Sequence, residues 1–230
     1  MTEILLWDID GTLLNFSAAE KVALQTCFSV FRLGTCTEEM RKRYSQINKK
    51  YWLLLETGMI SKADALDKRF EEFFASEGIL FNEIEAFNRE YQLRLGDTVV
   101  FFDNGYDLVK NLRGRVKQYA VTNGTYLAQS RKLKESGLDF LLDGIFISEK
   151  VGFEKPSPKF FDAVFSRIGD VDKSRILIVG DSLTSDMLGG NNAGIRCCWY
   201  NPKNEPVHGD VKIDYVIQNL NQVWEVLETR

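Results

Sequence analysis

Histidine is almost missing from this chain: one residue, His208, stands among 230. It falls in a polar stretch beside Pro206 and Gly209 that reads as a loop. A histidine-rich metal centre is therefore excluded, and a Ser-His-Asp triad would have to use this residue with no nucleophile elbow in sight. Cysteine is also scarce. Cys27, Cys36, Cys197 and Cys198 are the four present; they show neither C-x-x-C spacing nor a disulfide-rich pattern, which predicts reduced packing thiols. Cys197 and Cys198, adjacent on an expected strand, should face opposite sides. No apolar run approaches the length needed to cross a bilayer, and the first residues enter a strand without the basic region and cleavage site of an export signal. The expectation is a cytoplasmic protein with no membrane partner. A basic excess is missing as well. Net charge is −4, and lysines and arginines are scattered among acids, so nothing tracks a nucleic-acid polymer. What is present, 44% hydrophobic and 27% charged residues, suits a globular chain with a full core and a smaller second unit.

The stretch Ile4-Leu5-Leu6-Trp7-Asp8-Ile9-Asp10-Gly11-Thr12-Leu13-Leu14 organises the rest. An apolar run too short for a helix, ending in two acids and Gly-Thr, reads as a buried strand with polar chemistry at its C-terminal end. Asp8 and Asp10 would fall on opposite faces of a regular strand; Gly11 supplies the sharp turn that turns both to one opening. The structural alternative, an Asx-type turn capping the strand, employs only one of the two acids.

From Ser17 to Gly96 the pattern predicts four helices and no strand. A capping box, Ser17-Ala18-Ala19-Glu20, opens the first, with Val22, Leu24, Phe28 and Phe31 as apolar positions. The others start at Thr37, Ser61 and Asn82. After Asn104 short apolar strands alternate with helices: strands over 118–122, 144–147, 175–179 and 196–200 and near Tyr215, helices over 105–112, 126–136, 157–168, 185–193 and 220–227. Repeated strand-helix-strand units require a mainly parallel sheet with helices on both faces. The expected fold class is thus α/β, a doubly wound Rossmann-like sheet carrying an inserted all-helical cap. Residues 1–15 and 96–230 form the core, and residues 16–95 form a four-helix bundle.

Such a sheet binds ligands at the carboxyl ends of its strands. Three further polar clusters fall there: Val121-Thr122-Asn123-Gly124, Gly152-Phe153-Glu154-Lys155-Pro156, and Gly180-Asp181-Ser182-Leu183-Thr184-Ser185-Asp186. Singly, each has a structural reading. Thr122 and Asn123 could cap a helix, Lys155 could be a solvated loop lysine, and Asp181 or Asp186 could serve in a turn. Together with Asp8 and Asp10 they form a set of carboxylates, a lysine and a hydroxyl without histidine. Oxygen ligands of this kind suit a hard cation, Mg²⁺ in particular, and the set suits phosphoryl transfer by a carboxylate nucleophile.

The four clusters, in this order, resemble the signature motifs of the haloacid dehalogenase superfamily: the D-x-D-G-T opening, the hydrophobic strand ending in Thr, Lys-Pro, and G-D-S-x-x-x-D. The resemblance implies Asp8 as nucleophile and Mg²⁺ ligand, and Asp10 as general acid and then base with its main-chain carbonyl on the metal. Thr122 and Lys155 would hold the transferred phosphoryl group, with Asn123 assisting through its main-chain N–H. Asp181 would ligate Mg²⁺, and Asp186 would act directly or through water. The second acid, Asp10, disfavours carbon–halogen hydrolysis; a phosphomutase keeps it.

Within the superfamily the chain is similar to the non-canonical pyrimidine nucleotidases. The matching stretches are Ile47-Asn48-Lys49-Lys50-Tyr51-Trp52 with Glu56 and Gly58, Arg69-Phe70, Thr122-Asn123-Gly124, Asp186-Met187-Leu188-Gly189-Gly190 and Asn192-Ala193-Gly194. The resemblance implies a phosphatase acting on nucleoside 5′-monophosphates as a monomer or weak homodimer. A sugar-phosphate or phosphoglycolate phosphatase is the alternative. In the cap, Lys50, Trp52 and Arg69 are the candidate substrate contacts. Tyr51, Trp52, Phe70, Phe73 and Phe74 could stack on a base, and at helical spacing they could equally be bundle core. Trp7, where Phe is usual, and Asn15, where an acid is frequent, depart from the pattern.

Overall fold

The computed structural model describes residues 2–228; Met1, Thr229 and Arg230, at the outer ends of the two expected core segments, lie outside the described residues. The first strand, β1 (Ile4–Trp7), is buried along its whole length. It pairs in parallel with β2 (Lys117–Thr122) on one side and β4 (Ile176–Gly180) on the other. With β3 (Gly144–Ile147), β5 (Arg196–Tyr200) and β6 (Tyr215–Ile217), the described sheet has six strands in the order β3-β2-β1-β4-β5-β6, all pairs parallel. This is the expected doubly wound arrangement. Strand order reverses between β1 and β4, so the switch point where such sheets bind ligands lies between the ends of these two strands.

The alternation of β1 and its neighbours feeds two apolar layers. Leu5 and Trp7 pack with Leu177, Val179 and Cys198 on one face, whereas Ile4 and Leu6 pack with Ile176, Ile178 and Cys197 on the other. The adjacent cysteines do face opposite sides, and both are free thiols. Trp7 is fully buried, and its indole N–H is satisfied by Gln118 Oε1 at 3.0 Å. Gln118 in turn donates to the Val109 carbonyl at 2.9 Å, so an indole in the core leaves no orphaned donor.

Between β1 and β2 come α1 (Phe16–Val30), α2 (Glu38–Glu56), α3 (Lys62–Ser76) and α4 (Ile84–Asp97), followed by α5 (Gly105–Leu112). The first four share an aromatic core containing Phe28, Tyr44, Phe70, Phe73, Phe74, Phe87 and Tyr91. Its rings meet edge to face or offset, as Phe70 and Phe87 do at 5.0 Å between centroids. Two expectations for α1 are corrected. The helix is capped by Asn15, whose side chain accepts from the Ala18 N–H at 3.0 Å. Ser17 lies inside the helix, and Glu20 is buried on hydrogen bonds from Ser45 and Asn48, so it cannot close a capping box. Val22 is 43% exposed and stands outside the core.

The chain leaves and re-enters the sheet domain side by side. Asn15 N–H donates to the Val100 carbonyl at 2.8 Å, and Phe102 N–H to that of Leu13 at 3.0 Å. After β2 the order continues with α6 (Tyr126–Ser136), β3, a short α7 (Ser148–Val151) absent from the sequence reading, and α8 (Pro158–Ile168). A π-helical turn at Leu183–Met187 leads from β4 into α9 (Leu188–Ala193), and α10 (Val223–Glu228) ends the described chain. Among the described residues, no helix is long and apolar enough to cross a membrane.

Candidate active site

The ends of β1 and β4 bring three carboxylates together. One oxygen each of Asp8, Asp181 and Asp186 lies within 4.8 Å of the others. Such crowding requires that the backbone give way, and glycine provides it twice. Gly11 has φ +94°, and a Cβ there would sit 2.5 Å from Asp181 Oδ2; a Cβ on Gly180 would overlap the Asp186 carboxyl group.

Lys155 is the counter-charge. Its buried ammonium donates to Asp8 Oδ1 at 2.7 Å, Asp186 Oδ1 at 2.6 Å and the Val121 carbonyl at 2.7 Å, using all three of its protons. One ammonium does not offset three carboxylates set this close, two of them buried. Burial, with Asp186 adding to it against the pull of Lys155, pushes the Asp8 carboxyl up to about 7. Burial, reinforced by Asp8 and Asp186, also raises Asp181 well above the usual carboxylate range, despite the hydrogen bond from Thr12 Oγ1. On Lys155 burial works against the charge, and the attraction of Asp186 and Asp8 outweighs it, so the ammonium is held above its ordinary range. Asp8 Oδ2 is buried with no hydrogen-bond partner among the described residues.

Asp10 points to the other side of the same cleft. It accepts from Gln129 Nε2 at 2.6 Å and from the buried Lys132 ammonium, both on α6. Asn123 lines the cleft while its side chain ties two loops together, donating to the Lys155 carbonyl and accepting from the Lys155 N–H, each at 2.9 Å. Thr122 is fully buried at the end of β2, with its hydroxyl 3.4 Å from the Asn123 carbonyl, and is not among the cleft-lining residues.

The cap covers this cleft. Asn48, Trp52 and Glu56 descend one face of α2 at four-residue spacing and all three line it, with Phe16, Arg69 and Gln92. Arg69 does not present a free cation. It is 2% exposed, with Nη1 on Asn48 Oδ1 at 2.8 Å, Nη2 on Asn88 Oδ1 at 2.9 Å, and its guanidinium over the Phe70 and Tyr91 rings. Lys50 does not join the cleft: its ammonium pairs with Glu72 at 2.6 Å on the surface, because its position on α2 points away from the Asn48–Trp52–Glu56 face. Of the five candidate stacking aromatics, Phe70, Phe73 and Phe74 are bundle core, Tyr51 donates to Glu72, and Trp52 alone lines the cleft.

The model of the haloacid dehalogenase-like hydrolases matches residues 2–194. The chain belongs to that family. As a haloacid dehalogenase-like hydrolase it is 34% identical over 228 residues to the HAD-hydrolase YfnB of Bacillus subtilis, covering 97% of this chain and 94% of that one. It is 33% identical over 227 residues to the pyrimidine 5′-nucleotidase PynA of Streptococcus pneumoniae, covering 98% and 95%. The pyrimidine 5′-nucleotidase YjjG of Escherichia coli is 29% identical over 223 residues, covering 97% and 96%. A crystal structure of YfnB bound to magnesium, described as revealing interdomain movement, superposes with TM-score 0.91 at 33% identity over 99% of both chains.

Several cleft groups of this hydrolase were not legible beforehand. Gln129 and Lys132 are three apart on α6, on a buried face that also carries Ser136, and this mixed polarity gave no local signal. Glu56 has no signal of its own beyond its place among the residues that resemble the nucleotidases. Its carboxyl lies near the acid cluster, accepts from Thr184 Oγ1 at 2.9 Å, and is pushed by burial up to about 7 against that hydrogen bond.

Proposed function

We propose that this hydrolase is a Mg²⁺-dependent phosphatase that acts through an aspartyl phosphate on Asp8, with pyrimidine nucleoside 5′-monophosphates as substrates. The crowding of Asp8, Asp181 and Asp186 around one point supports the reading most directly, since three carboxylates this close with one ammonium, Asp8 and Asp186 buried and Asp181 reaching solvent, are under-neutralised without a cation. The donor set is all oxygen, and Asp8 Oδ2 is buried and unpaired, which fits a hard divalent ion. Asp8, Asp181 and the main-chain carbonyl of Asp10 would hold it, with Asp186 acting directly or through water. Bound there, the ion supplies positive charge to the phosphoryl oxygens and to the ionised Asp8.

The chemistry of the chain's own groups then runs in two steps. An Asp8 oxygen forms a bond to phosphorus while the ester P–O bond breaks, and Asp10 gives a proton to the departing oxygen. Water then attacks phosphorus, Asp10 takes its proton, and the bond to Asp8 breaks to release phosphate. Lys155 holds Asp8 in place and offsets its repulsion from an anionic substrate. The main-chain N–H of Asn123, which lines the cleft, would hold a phosphoryl oxygen, with Thr122 buried behind it at the end of β2. Gln129 and Lys132 orient the Asp10 carboxylate.

The helices over 16–95 would act as a cap that closes on the side-by-side crossings at Asn15 and Val100, excluding bulk water. From Glu56, beside the acids, to Asn48, beside Arg69, α2 rises about 12 Å, the span of a nucleoside monophosphate laid lengthwise. Trp52 lies between them, placed to stack on a base. The similarity to PynA and YjjG, both pyrimidine 5′-nucleotidases, supports the same class.

A panel of phosphomonoesters with Mg²⁺ tests the reading. Pyrimidine nucleoside 5′-monophosphates should give the highest kcat/KM, and Asp8→Asn should lower kcat by at least about a thousandfold, the loss expected for a removed nucleophile. A higher kcat/KM for sugar phosphates or phosphoglycolate, or transfer of phosphate to a second sugar hydroxyl, would replace the substrate assignment. Activity surviving in Asp8→Asn would end the mechanism.

A further inference from the structure

Besides the chain crossings and the packing of α4 on α6, where Gln92 accepts from Thr125 Oγ1 at 2.8 Å and Asp97 pairs with Arg131, the cap bundle meets the sheet domain through a strap formed by the turn between α2 and α3. At one end of the strap Glu56 takes a hydrogen bond from Thr184. At the other end stands Lys62, the first residue of α3. Its ammonium has three partners, all on the sheet domain: the Gly124 carbonyl at 3.0 Å, Ser148 Oγ at 3.0 Å and Glu154 Oε1 at 2.8 Å. Three protons meet three acceptors, so the donor capacity of the lysine is filled entirely across the domain boundary.

The three acceptors belong to the loops that carry the phosphate-site residues. Gly124 follows Asn123, and Glu154 precedes Lys155. Those two loops are already tied by the paired hydrogen bonds between the Asn123 side chain and the Lys155 backbone. Ser148, at the end of β3, accepts from the Gly124 N–H at 3.2 Å and so joins the third loop to the first. Lys62 is therefore the point at which a cap residue grips the β2, β3 and Lys155 loops together. Its side chain is 16% exposed and that of Glu154 22%, so the contact lies between a surface ion pair and a buried one, and its hydrogen bonds are charge-assisted.

We propose that Lys62 is a positioning residue that couples cap closure to the assembly of the phosphate site, by clamping the loops of Asn123 and Lys155 only when the cap is down. It touches neither substrate nor the reacting atoms. The inference rests on the cap movement of the proposed function for its kinetic consequence, but not for its structural one.

Hydrogen exchange on the ligand-free protein separates the two. In Lys62→Met, exchange should rise in the segments over 122–128 and 148–156. It should stay unchanged in the aromatic core of the bundle around Phe70 and Phe73, which Lys62 does not touch. Glu154→Gln should reproduce the pattern more weakly, and adding it to Lys62→Met should change little further, because both act through one contact. In turnover, Lys62→Met should lower kcat/KM for a nucleoside monophosphate about tenfold, the loss of roughly one charge-assisted hydrogen bond, and Lys62→Arg should restore part of it. Unchanged exchange in both loop segments, or a rise spread equally through the bundle core, overturns the proposal. Wild-type protein inactive on nucleotides but showing the loop-confined exchange change would overturn the substrate assignment and leave the clamp standing.

Discussion

The cation affinity of the acid cluster should fall steeply as pH is lowered, and the size of the fall follows from Asp8. Its carboxyl is pushed from 3.8 to about 7 by burial, so across that window the folded protein holds a proton that the unfolded chain has lost. Stability of the cation-free protein therefore declines as pH rises through the window and levels off above 7. The full Asp8 contribution is about 4 kcal/mol, at 1.36 kcal/mol per pH unit. A divalent ion needs the ionised carboxylate and must displace that proton. Ionised Asp8 makes up about 90% of the protein at pH 8 and about 3% at pH 5.5, so Mg²⁺ should bind about thirtyfold more weakly at the lower pH. The raised Asp181 steepens the fall further. Titration calorimetry at pH 5.5, 6.5, 7.5 and 8.5, in two buffers of different ionisation heat, reads both the affinity and the protons released. Release should be at least one proton per ion at pH 6 and should shrink as pH rises past 7. The same ion should raise Tm more at pH 8 than at pH 5.5, and chelation should remove the gain. An affinity flat across this range, or binding without proton release, would refute the claim that burial holds a proton on the cluster.

Three substitutions probe the surrounding structure. Gly180→Ala places a methyl group inside the Asp186 carboxyl position, so it should lower kcat at least tenfold and weaken Mg²⁺ binding, measured by turnover and calorimetry. Arg69→Met strips the donors from the buried Asn48 and from Asn88 and removes two cation–ring contacts in the bundle, at a cost of about 3 kcal/mol; the readout is the urea midpoint. Trp52→Ala should raise KM for nucleoside monophosphates severalfold and leave hydrolysis of acetyl phosphate, which has no base to stack, nearly unchanged.

Sequence alone was enough for the sheet and for the acids at its edge, and the reason is local. A buried parallel strand must be apolar along its length, so polar residues at its end stand out, as Asp8 and Asp10 do after Ile4–Trp7. Crossover rules then make the sheet parallel, so that the strand ends share one side, while the order β3-β2-β1-β4-β5-β6 came from the structure. The cap gave a weaker signal because its helices bury two faces, one into the aromatic core and one onto the cleft. The same residue types serve both: Phe70 and Trp52 have the same apolar character on adjacent helices and opposite destinations. Lys50 and Arg69 likewise differ only in orientation, one to the surface and one into the bundle. Nor could local pattern reveal Lys132 on Asp10 or Lys62 on Glu154, since each joins residues about a hundred positions apart through a charge that any exposed helix might carry. Linear order determined which polar groups stand at the strand ends; the packing of bundle on sheet decided which groups hold them, because a contact across that boundary leaves no periodic trace in either partner.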